Sequence, residues 1–149
     1  MSSVANILAK KSRGVVTVPS TTSVYDALKI MSEKNIGSVV VADGGAYLGI
    51  VTERDYARKV ILLNKHSDHT AVAEIMSTDL PQVNPRDSHE RCMALMAERN
   101  VRYLPVFENG AMVGIISILD VIQATAEKQK ETILGLQDFI SSNFGWCRK

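Results

Sequence analysis

The chain has few of the residues on which several specialised classes of protein depend. It contains two cysteines in 149 residues, which excludes a disulfide framework and a cysteine-rich metal site and is typical of a reducing compartment. Aromatic residues make up 5% of the chain and the net charge is +1, so no basic, aromatic surface for nucleic acid is predicted. The longest apolar runs are far shorter than the roughly 18 residues of a membrane-spanning helix. We therefore expect neither nucleic acid nor a membrane as a partner.

The N-terminal segment has no acidic residue before Asp26, although it carries Lys10, Lys11 and Arg13. Basic, acid-poor starts resemble organelle targeting sequences. Residues 5–8, however, have a counterpart in residues 73–76, and this similarity favours a start that belongs to the fold. We expect a cytoplasmic protein, with an organelle matrix as the alternative location.

A long internal repeat is the clearest signal in the sequence. The segment Gly-Ile-Val-Thr-Glu-Arg-Asp at 49–55 recurs as Gly-Ile-Ile-Ser-Ile-Leu-Asp at 114–120, which is 65 residues later. The same offset aligns further pairs without a gap: Val18 with Val83, Ser23 with Ser88, Met31 with Met96, Asn35 with Asn100, and Gly45 with Gly110. Such a repeat indicates one duplicated supersecondary unit. Since a unit of about 60 residues buries only a marginal core, we expect the two copies to fold as a pair.

Hydrophobic periodicity predicts the order β-α-β-β-α in each copy. In the first copy the predicted elements are a strand at 14–18, a helix from Ser23 to Asn35, strands at 36–42 and 47–51, and a helix at 53–63. In the second they are a strand at 80–83, a helix at 86–100, strands at 101–107 and 112–116, and a helix after Ser117. The predicted fold is α+β, with the repeats at 1–66 and 67–130 packed with pseudo-two-fold symmetry.

Residues 131–149 are predicted to extend the last helix and end in a tail. Ile133, Leu136, Phe139 and Ile140 form an apolar stripe on this extension. A stripe on a helix that has left its own repeat needs a covering surface. Either the parent domain or a second copy of the chain would supply it.

Each copy ends in a hydroxyl residue with an aspartate three positions later, Thr52 with Asp55 and Ser117 with Asp120. The start of a helix favours a phosphate group, because its backbone N–H groups are free and its dipole is positive there. The aspartate one turn later can accept hydrogen bonds from the two hydroxyls of a ribose. The alternative interpretation is a helix-capping pair without a ligand.

The repeated β-α-β-β-α order and the paired Gly-x-x-[Thr/Ser]-x-x-Asp endings resemble the cystathionine-beta-synthase (CBS) domain pair, or Bateman module. The resemblance covers residues 3–127 and leaves no catalytic domain over. It implies a regulatory module that binds an adenine nucleotide, with AMP as first choice and ADP, ATP or NAD as alternatives. It also implies a homodimer that regulates a protein partner of unknown identity.

The resemblance assigns two nucleotide sites. At the first, Val18, Ile36, Gly37, Ser38 and Val39 would surround the base, Thr52 and Asp55 would hold the sugar and phosphate, and Arg54 and Arg58 would bind phosphate. At the second, Val83, Val101, Arg102, Tyr103, Leu104 and Pro105 would surround the base, and Ser117 and Asp120 would hold the sugar and phosphate. Tyr103 replaces a histidine and Leu119 a small residue found in many relatives, which leaves the ligand and the occupancy of this site open.

Two rival functions remain. The first is a ligand-independent, dimeric interaction scaffold in which both hydroxyl–aspartate pairs only cap helices. The second is an enzyme, which we do not expect because the sequence offers no nucleophile with a base and no cofactor loop. Cys92 is predicted in a helix core and His89 on an exposed helix start. His66 and His69 are predicted in a surface linker, so no metal is expected.

Overall fold

The computed structural model describes residues 3–11 and 14–144, with side chains described as far as residue 137. The helices are α1 (Val4–Lys10), α2 (Val24–Lys34), α3 (Glu53–Tyr56), α4 (His89–Arg99) and α5 (Ile118–Phe144). The strands are β1 (Thr17–Val18), β2 (Ser38–Asp43), β3 (Ala46–Thr52), β4 (Tyr103–Glu108) and β5 (Ala111–Ser117). A π-helix at Ala57–Ile61 continues α3, and short 3-10 turns lie at Ser67–His69 and Val72–Glu74.

The described residues 14–80 form one compact unit. Its sheet has the order β1-β2-β3, with β1 parallel to β2 and β2 antiparallel to β3. Gly44 and Gly45 turn the β2–β3 hairpin with φ values of 57° and 83°, in the left-handed region that two-residue hairpin loops require. The core of this unit joins α2, the sheet and the segment after the linker: Val18, Val24, Ala27, Met31, Val39, Val41, Val51, Val60, Val72 and Ile75.

Residues 3–11 join residues 81–144 in the other compact unit. Strands β4 and β5 form an antiparallel hairpin, which Asn109 and Gly110 turn with φ values of 53° and 79°. The core combines residues of α1, α4, α5 and the hairpin: Val4, Ile7, Val83, Cys92, Met96, Leu104, Val106, Ile116, Val121 and Ala124.

The two units repeat one another down to local irregularities, and the α+β fold predicted from the repeat is confirmed. Ser23 and Ser88 cap α2 and α4 through their side chains, and Asn35 and Asn100 end the same helices with φ values of 54° and 53°. Each hairpin also changes register at the equivalent place, between Val41 and Ala42 and between residues 106 and 107. Duplication of one chain segment accounts for this agreement.

The predicted strand at 80–83 is wrong, because Val83 makes only an isolated parallel bridge to Val106. In the first copy the Val40 N–H donates to the Val16 carbonyl at 2.9 Å. The residue that corresponds to Val40 in the second copy is Pro105, which has no N–H to donate. The third strand therefore shrinks to a single bridge. Helix α4 also begins later than the predicted residue 86, since Ser88 is its cap.

The segments that precede the two copies are exchanged between the units. Val4 and Ile7 of α1 lie in the core of the second copy, whereas Val72 and Ile75 lie in the core of the first. Each copy is therefore completed by the segment that precedes the other copy in the sequence. In the structure, residues 3–11 therefore belong to the unit of the second copy and the described residues 67–80 to that of the first, while the repeat boundaries at 1–66 and 67–130 stay a prediction from the sequence.

Helix α5 continues well beyond the repeat. Ile133, Leu134 and Leu136 are 56%, 50% and 58% exposed, so the residues that the structure describes leave the apolar stripe largely uncovered over that stretch. The side chains of Phe139 and Ile140, and the tail with Cys147, lie outside the described part. No helix in the described ranges is long and apolar enough to cross a membrane.

Candidate functional site

The first hydroxyl–aspartate pair lies where β3 turns into α3. The Thr52 N–H donates to Asp55 Oδ2 at 3.0 Å, and the Asp55 N–H donates to Thr52 Oγ1 at 3.0 Å. The first helical N–H, that of Glu53, donates to the Gly37 carbonyl at 3.2 Å. These bonds form a capping box and fasten the helix start to the segment before β2.

The second pair repeats this arrangement where β5 turns into α5. The Ser117 N–H donates to Asp120 Oδ2 at 2.8 Å, and the Asp120 N–H donates to Ser117 Oγ at 3.2 Å. The Ile118 N–H donates to the Arg102 carbonyl at 2.9 Å. Reciprocal capping is therefore a property of both copies. In each, the backbone N–H of the capping residue engages only the Oδ2 atom of the aspartate.

The remaining oxygen of Asp55 is engaged. Asp55 is 7% exposed, and its Oδ1 accepts from Ser77 Oγ at 3.1 Å and pairs with Lys59 Nζ at 3.0 Å. Lys59 also donates to the Ile75 carbonyl at 2.9 Å. With both carboxylate oxygens bonded inside the unit, the first aspartate has little capacity left for a ligand.

The second aspartate, Asp120, keeps an open oxygen. Lys11 Nζ lies 2.9 Å from its Oδ2 and 2.9 Å from the Ile115 carbonyl oxygen. No hydrogen bond to Oδ1 is formed by any residue in the described ranges. The side chain is 16% exposed, so this oxygen can accept hydrogen bonds from a polyhydroxylated ligand without breaking the cap.

The other predicted site residues lie at three levels of exposure. Four of them belong to the hydrophobic cores, namely Val18, Val39, Val83 and Leu104. Ser38 and Pro105 are also buried; Ile36, Gly37, Thr52, Arg54, Val101, Tyr103 and Ser117 are half-buried; and Arg58 and Arg102 are exposed. The carbonyls of Gly37 and Arg102 are already used by the helix starts. Ligand contacts by these residues remain a prediction.

The sequence interpretation missed the three residues that bind the aspartates from outside the caps: Lys11, Lys59 and Ser77. Lys59 follows Asp55 by four residues on a helical segment, a spacing that favours an ion pair and could have revealed it. Lys11 lies 109 residues from Asp120, and the repeat gives no signal for this pairing. Each aspartate thus pairs with a lysine, but Lys59 lies in the π-helix that continues α3, whereas Lys11 follows α1.

His89 was expected on the surface, and this prediction is wrong. It is 3% exposed, and its Nδ1 lies 3.1 Å from Glu90 Oε1, while Glu90 Oε2 lies 2.8 Å from Lys128 Nζ. The residue directly after the cap of α4 faces inward, which the start of the helix at Ser88 rather than residue 86 explains. The position of His89 at a helix start did not indicate from the sequence whether its side chain faces the core or the solvent.

Cys92 is buried in the second core, and burial together with the nearby Asp87 carboxylate raises its pKa to about 11. At pH 8 only about one such thiol in a thousand is ionised, which makes Cys92 a poor nucleophile.

In a Cys147→Ser variant we expect no reaction of the native protein with a disulfide reagent at pH 8, and one reactive thiol after unfolding in guanidinium. Rapid reaction of the native variant would contradict the buried placement.

A small cleft lies beside Asp120, between α1 and α5. Its cavity volume is about 80 Å³, and its charged lining residues are Lys10, Lys11, Asp120 and Glu127. Sites for drug-sized ligands have volumes of roughly 300–1,000 Å³, so the cleft holds at most one polar end of a nucleotide. The described residues include no cluster of three or more histidine, cysteine or acidic side chains that could hold a metal ion.

Comparison with known proteins gives a consistent result. The family model for the CBS domain matches the chain twice, at residues 4–62 and 72–127. The solved structure of a putative signal-transduction protein with CBS domains from Burkholderia ambifaria is 46% identical, with a TM-score of 0.81, and the match covers 86% of this chain and 96% of that one.

Two further relatives differ from this chain in length or similarity. The CBS domain-containing protein CBSX3, mitochondrial, of Arabidopsis thaliana is 37% identical over 82% of this chain, which spans only 62% of that protein. A hexameric CBS-CP12 protein from bloom-forming cyanobacteria is 27% identical, with a TM-score of 0.72, over 95% of this chain and 87% of that one.

Proposed function

The chain belongs to the CBS-domain family, and on that premise we propose that it is an adenine-nucleotide sensor that regulates a partner. CBS-domain pairs are in general regulatory modules that bind adenosine-containing ligands. Within that class we propose AMP as the ligand, with ADP, ATP and NAD as alternatives. We propose no catalytic role for any residue of the chain.

The observation that carries the proposal is the open Oδ1 of Asp120. Its carboxylate is held in place by the cap on Ser117 and by Lys11, while Oδ1 has no hydrogen-bonding partner among the described residues. An ionised carboxylate held in this way can accept both hydroxyls of a ribose, and each such bond contributes about 1.5–3 kcal/mol. A deoxyribose ligand would forgo part of this gain.

Ligand binding can regulate a partner only if the ligand binds two conformations of the chain with different affinities. A ligand shifts an equilibrium between two conformations by no more than the difference in its affinity for them. We therefore propose that the nucleotide biases the chain toward one arrangement and so changes the activity of a protein partner.

A ligand-independent scaffold is the second candidate. The reciprocal helix caps in both copies and the exposed residues Ile133, Leu134 and Leu136 favour it, because these features need no ligand. CBS-domain pairs commonly form oligomers, as the hexameric cyanobacterial relative illustrates. We propose a homodimer for this chain under either function. We propose a cytoplasmic location, and the mitochondrial plant relative makes an organelle matrix the alternative.

A thermal-shift panel tests the sensor against the scaffold. The purified chain is heated with AMP, ADP, ATP, NAD and GMP at millimolar concentration. We expect the adenine ligands to raise the unfolding midpoint and GMP to leave it unchanged, because a ligand stabilises the state that it binds. The absence of any shift with all five ligands would favour the scaffold.

A further inference from the structure

We propose that Lys11 makes the site at Asp120 selective for phosphorylated adenine ligands over adenosine, an inference that rests on the proposed function. Lys11 belongs to the segment after α1, outside the repeated motif. It reaches Asp120 from a distant part of the sequence. In this proposal Lys11 attracts the charged phosphate of the ligand, whereas Asp120 accepts hydrogen bonds from the ribose.

The ammonium group of Lys11 is held in place but not fully used. Its Nζ makes two hydrogen bonds, to Asp120 Oδ2 at 2.9 Å and to the Ile115 carbonyl oxygen at 2.9 Å. An ammonium group has three N–H donors, so one remains for a further acceptor. The side chain is 28% exposed, and a ligand can therefore approach it.

Electrostatics require such a cation when the ligand is a nucleotide. An ionised carboxylate at the ribose repels a phosphate group, which carries a charge of about −1.5 to −2 at neutral pH. A partly buried pair is screened less by salt than an exposed one. The ammonium of Lys11, in contact with the carboxylate, offsets this repulsion and attracts the phosphate directly. Adenosine, which has no phosphate, gains nothing from the ammonium.

The polar end of the ligand can bind in the cleft beside Asp120. It is lined by both Lys11 and Asp120, and its volume of about 80 Å³ suits a small charged group rather than a base. Lys10 lines the same cleft, but it pairs with Glu127 and is 67% exposed. Of these two neighbouring lysines, Lys11 is the one that contacts the aspartate.

The first copy shows that a lysine alone is not sufficient. Lys59 pairs with Oδ1 of Asp55, the oxygen that a ribose would need, and Ser77 donates to the same atom, whereas Lys11 pairs with Oδ2 of Asp120. Lys59 therefore completes a closed structural network. Only at Asp120 does a lysine accompany an open acceptor, so the structure assigns selectivity for phosphate to that copy.

The test compares the affinities for AMP and adenosine by titration calorimetry in the full chain and in a Lys11→Gln variant. We expect Lys11→Gln to weaken AMP binding about five- to tenfold while adenosine changes less than about twofold, as for a partly exposed charge contact. Lys11→Met, which keeps an unbranched apolar stem, should behave in the same way if Lys11→Gln folds poorly. Lys11→Arg should retain the preference for AMP, and Lys128→Gln, which removes a lysine that pairs with Glu90 outside the cleft, should leave both affinities unchanged.

The outcomes separate this inference from the function on which it rests. An unchanged ratio of AMP to adenosine affinity in folded Lys11→Gln or Lys11→Met would overturn the role of Lys11 and leave the sensor intact. An equal loss for both ligands would also overturn it, since that result indicates a structural role. If the unmodified chain binds neither ligand, the proposed function and this inference fail together.

Discussion

Replacement of Gly49 with alanine should destabilise the chain by about 2–3 kcal/mol, at the upper end of the cost of overpacking a core. A Cβ atom at Gly49 would lie 2.8 Å from the Ser77 carbonyl oxygen and 3.1 Å from the Met76 side chain. The Ser77 backbone cannot retreat easily, because it exchanges hydrogen bonds with Ile50 at 3.0 and 2.8 Å. A shift there would also disturb the Ser77 hydroxyl, which bonds to Asp55.

Gly114 supplies the matched control. A Cβ atom at this equivalent position would meet the end of the Leu8 side chain at 2.7 Å, and no backbone atom is among its near contacts. A leucine side chain can change rotamer, so we expect Gly114→Ala to cost roughly 1 kcal/mol or less. The measurement is chemical and thermal unfolding of both variants, with a fall of about 5–10 °C in the midpoint for Gly49→Ala. Equal effects of the two substitutions would contradict the packing of residues 76 and 77 described above.

Replacement of Asp120 with alanine should weaken the binding of AMP about 10- to 100-fold, the effect of losing charge-assisted hydrogen bonds to the ribose. The loss should appear for adenosine as well, because the carboxylate binds the sugar. A matched control is Glu131→Ala, which removes an exposed acid from the same helix outside the cleft. We expect it to bind AMP as the unmodified chain does. Fluorescence or calorimetric titration measures the affinities.

Asp55→Ala should act mainly on stability. It would remove the acceptor of the Thr52 N–H and leave the half-buried Lys59 and Ser77 without their partner, a loss of about 2–3 kcal/mol. The AMP affinity of this variant, measured where it is folded, should fall far less than that of Asp120→Ala. The reverse pattern, with binding lost in Asp55→Ala and kept in Asp120→Ala, would contradict the assignment of the site to the second copy.

Local sequence signals predicted the local structure of the two copies well. The hairpin turns at Gly44-Gly45 and Asn109-Gly110 and the helix ends at Asn35 and Asn100 depend on neighbouring residues, so their sequence patterns carry the information, whereas the cap of α4 at Ser88 was missed. The family resemblance was likewise visible in the repeated motif. The lost strand at 80–83 was less visible, because its cause is the missing N–H of Pro105 on the strand beside it.

Tertiary pairings were not predictable in the same way. Nothing in a 65-residue repeat indicates that α1 completes the core of the second copy, or that Lys11 rather than a residue of α5 pairs with Asp120. In the second copy the position of Lys59 is taken by Ala124, so the repeat itself would have predicted no lysine there. The chain keeps the ion pair while changing its source. The closed site differs from the open one because Lys59 and Ser77 occupy Oδ1 of Asp55, whereas Lys11 bonds to Oδ2 of Asp120.

The most direct test of the proposed nucleotide site at Asp120 is a calorimetric titration of the unmodified chain with AMP, with GMP as the comparison ligand. We expect saturable binding of AMP near one molecule per chain, much weaker binding of GMP, and loss of AMP binding in Asp120→Asn. In that variant an amide replaces the carboxylate, and its oxygen can still accept the bond from the Ser117 N–H. An absence of AMP binding at millimolar concentration, or binding that Asp120→Asn leaves unchanged, would contradict this proposal.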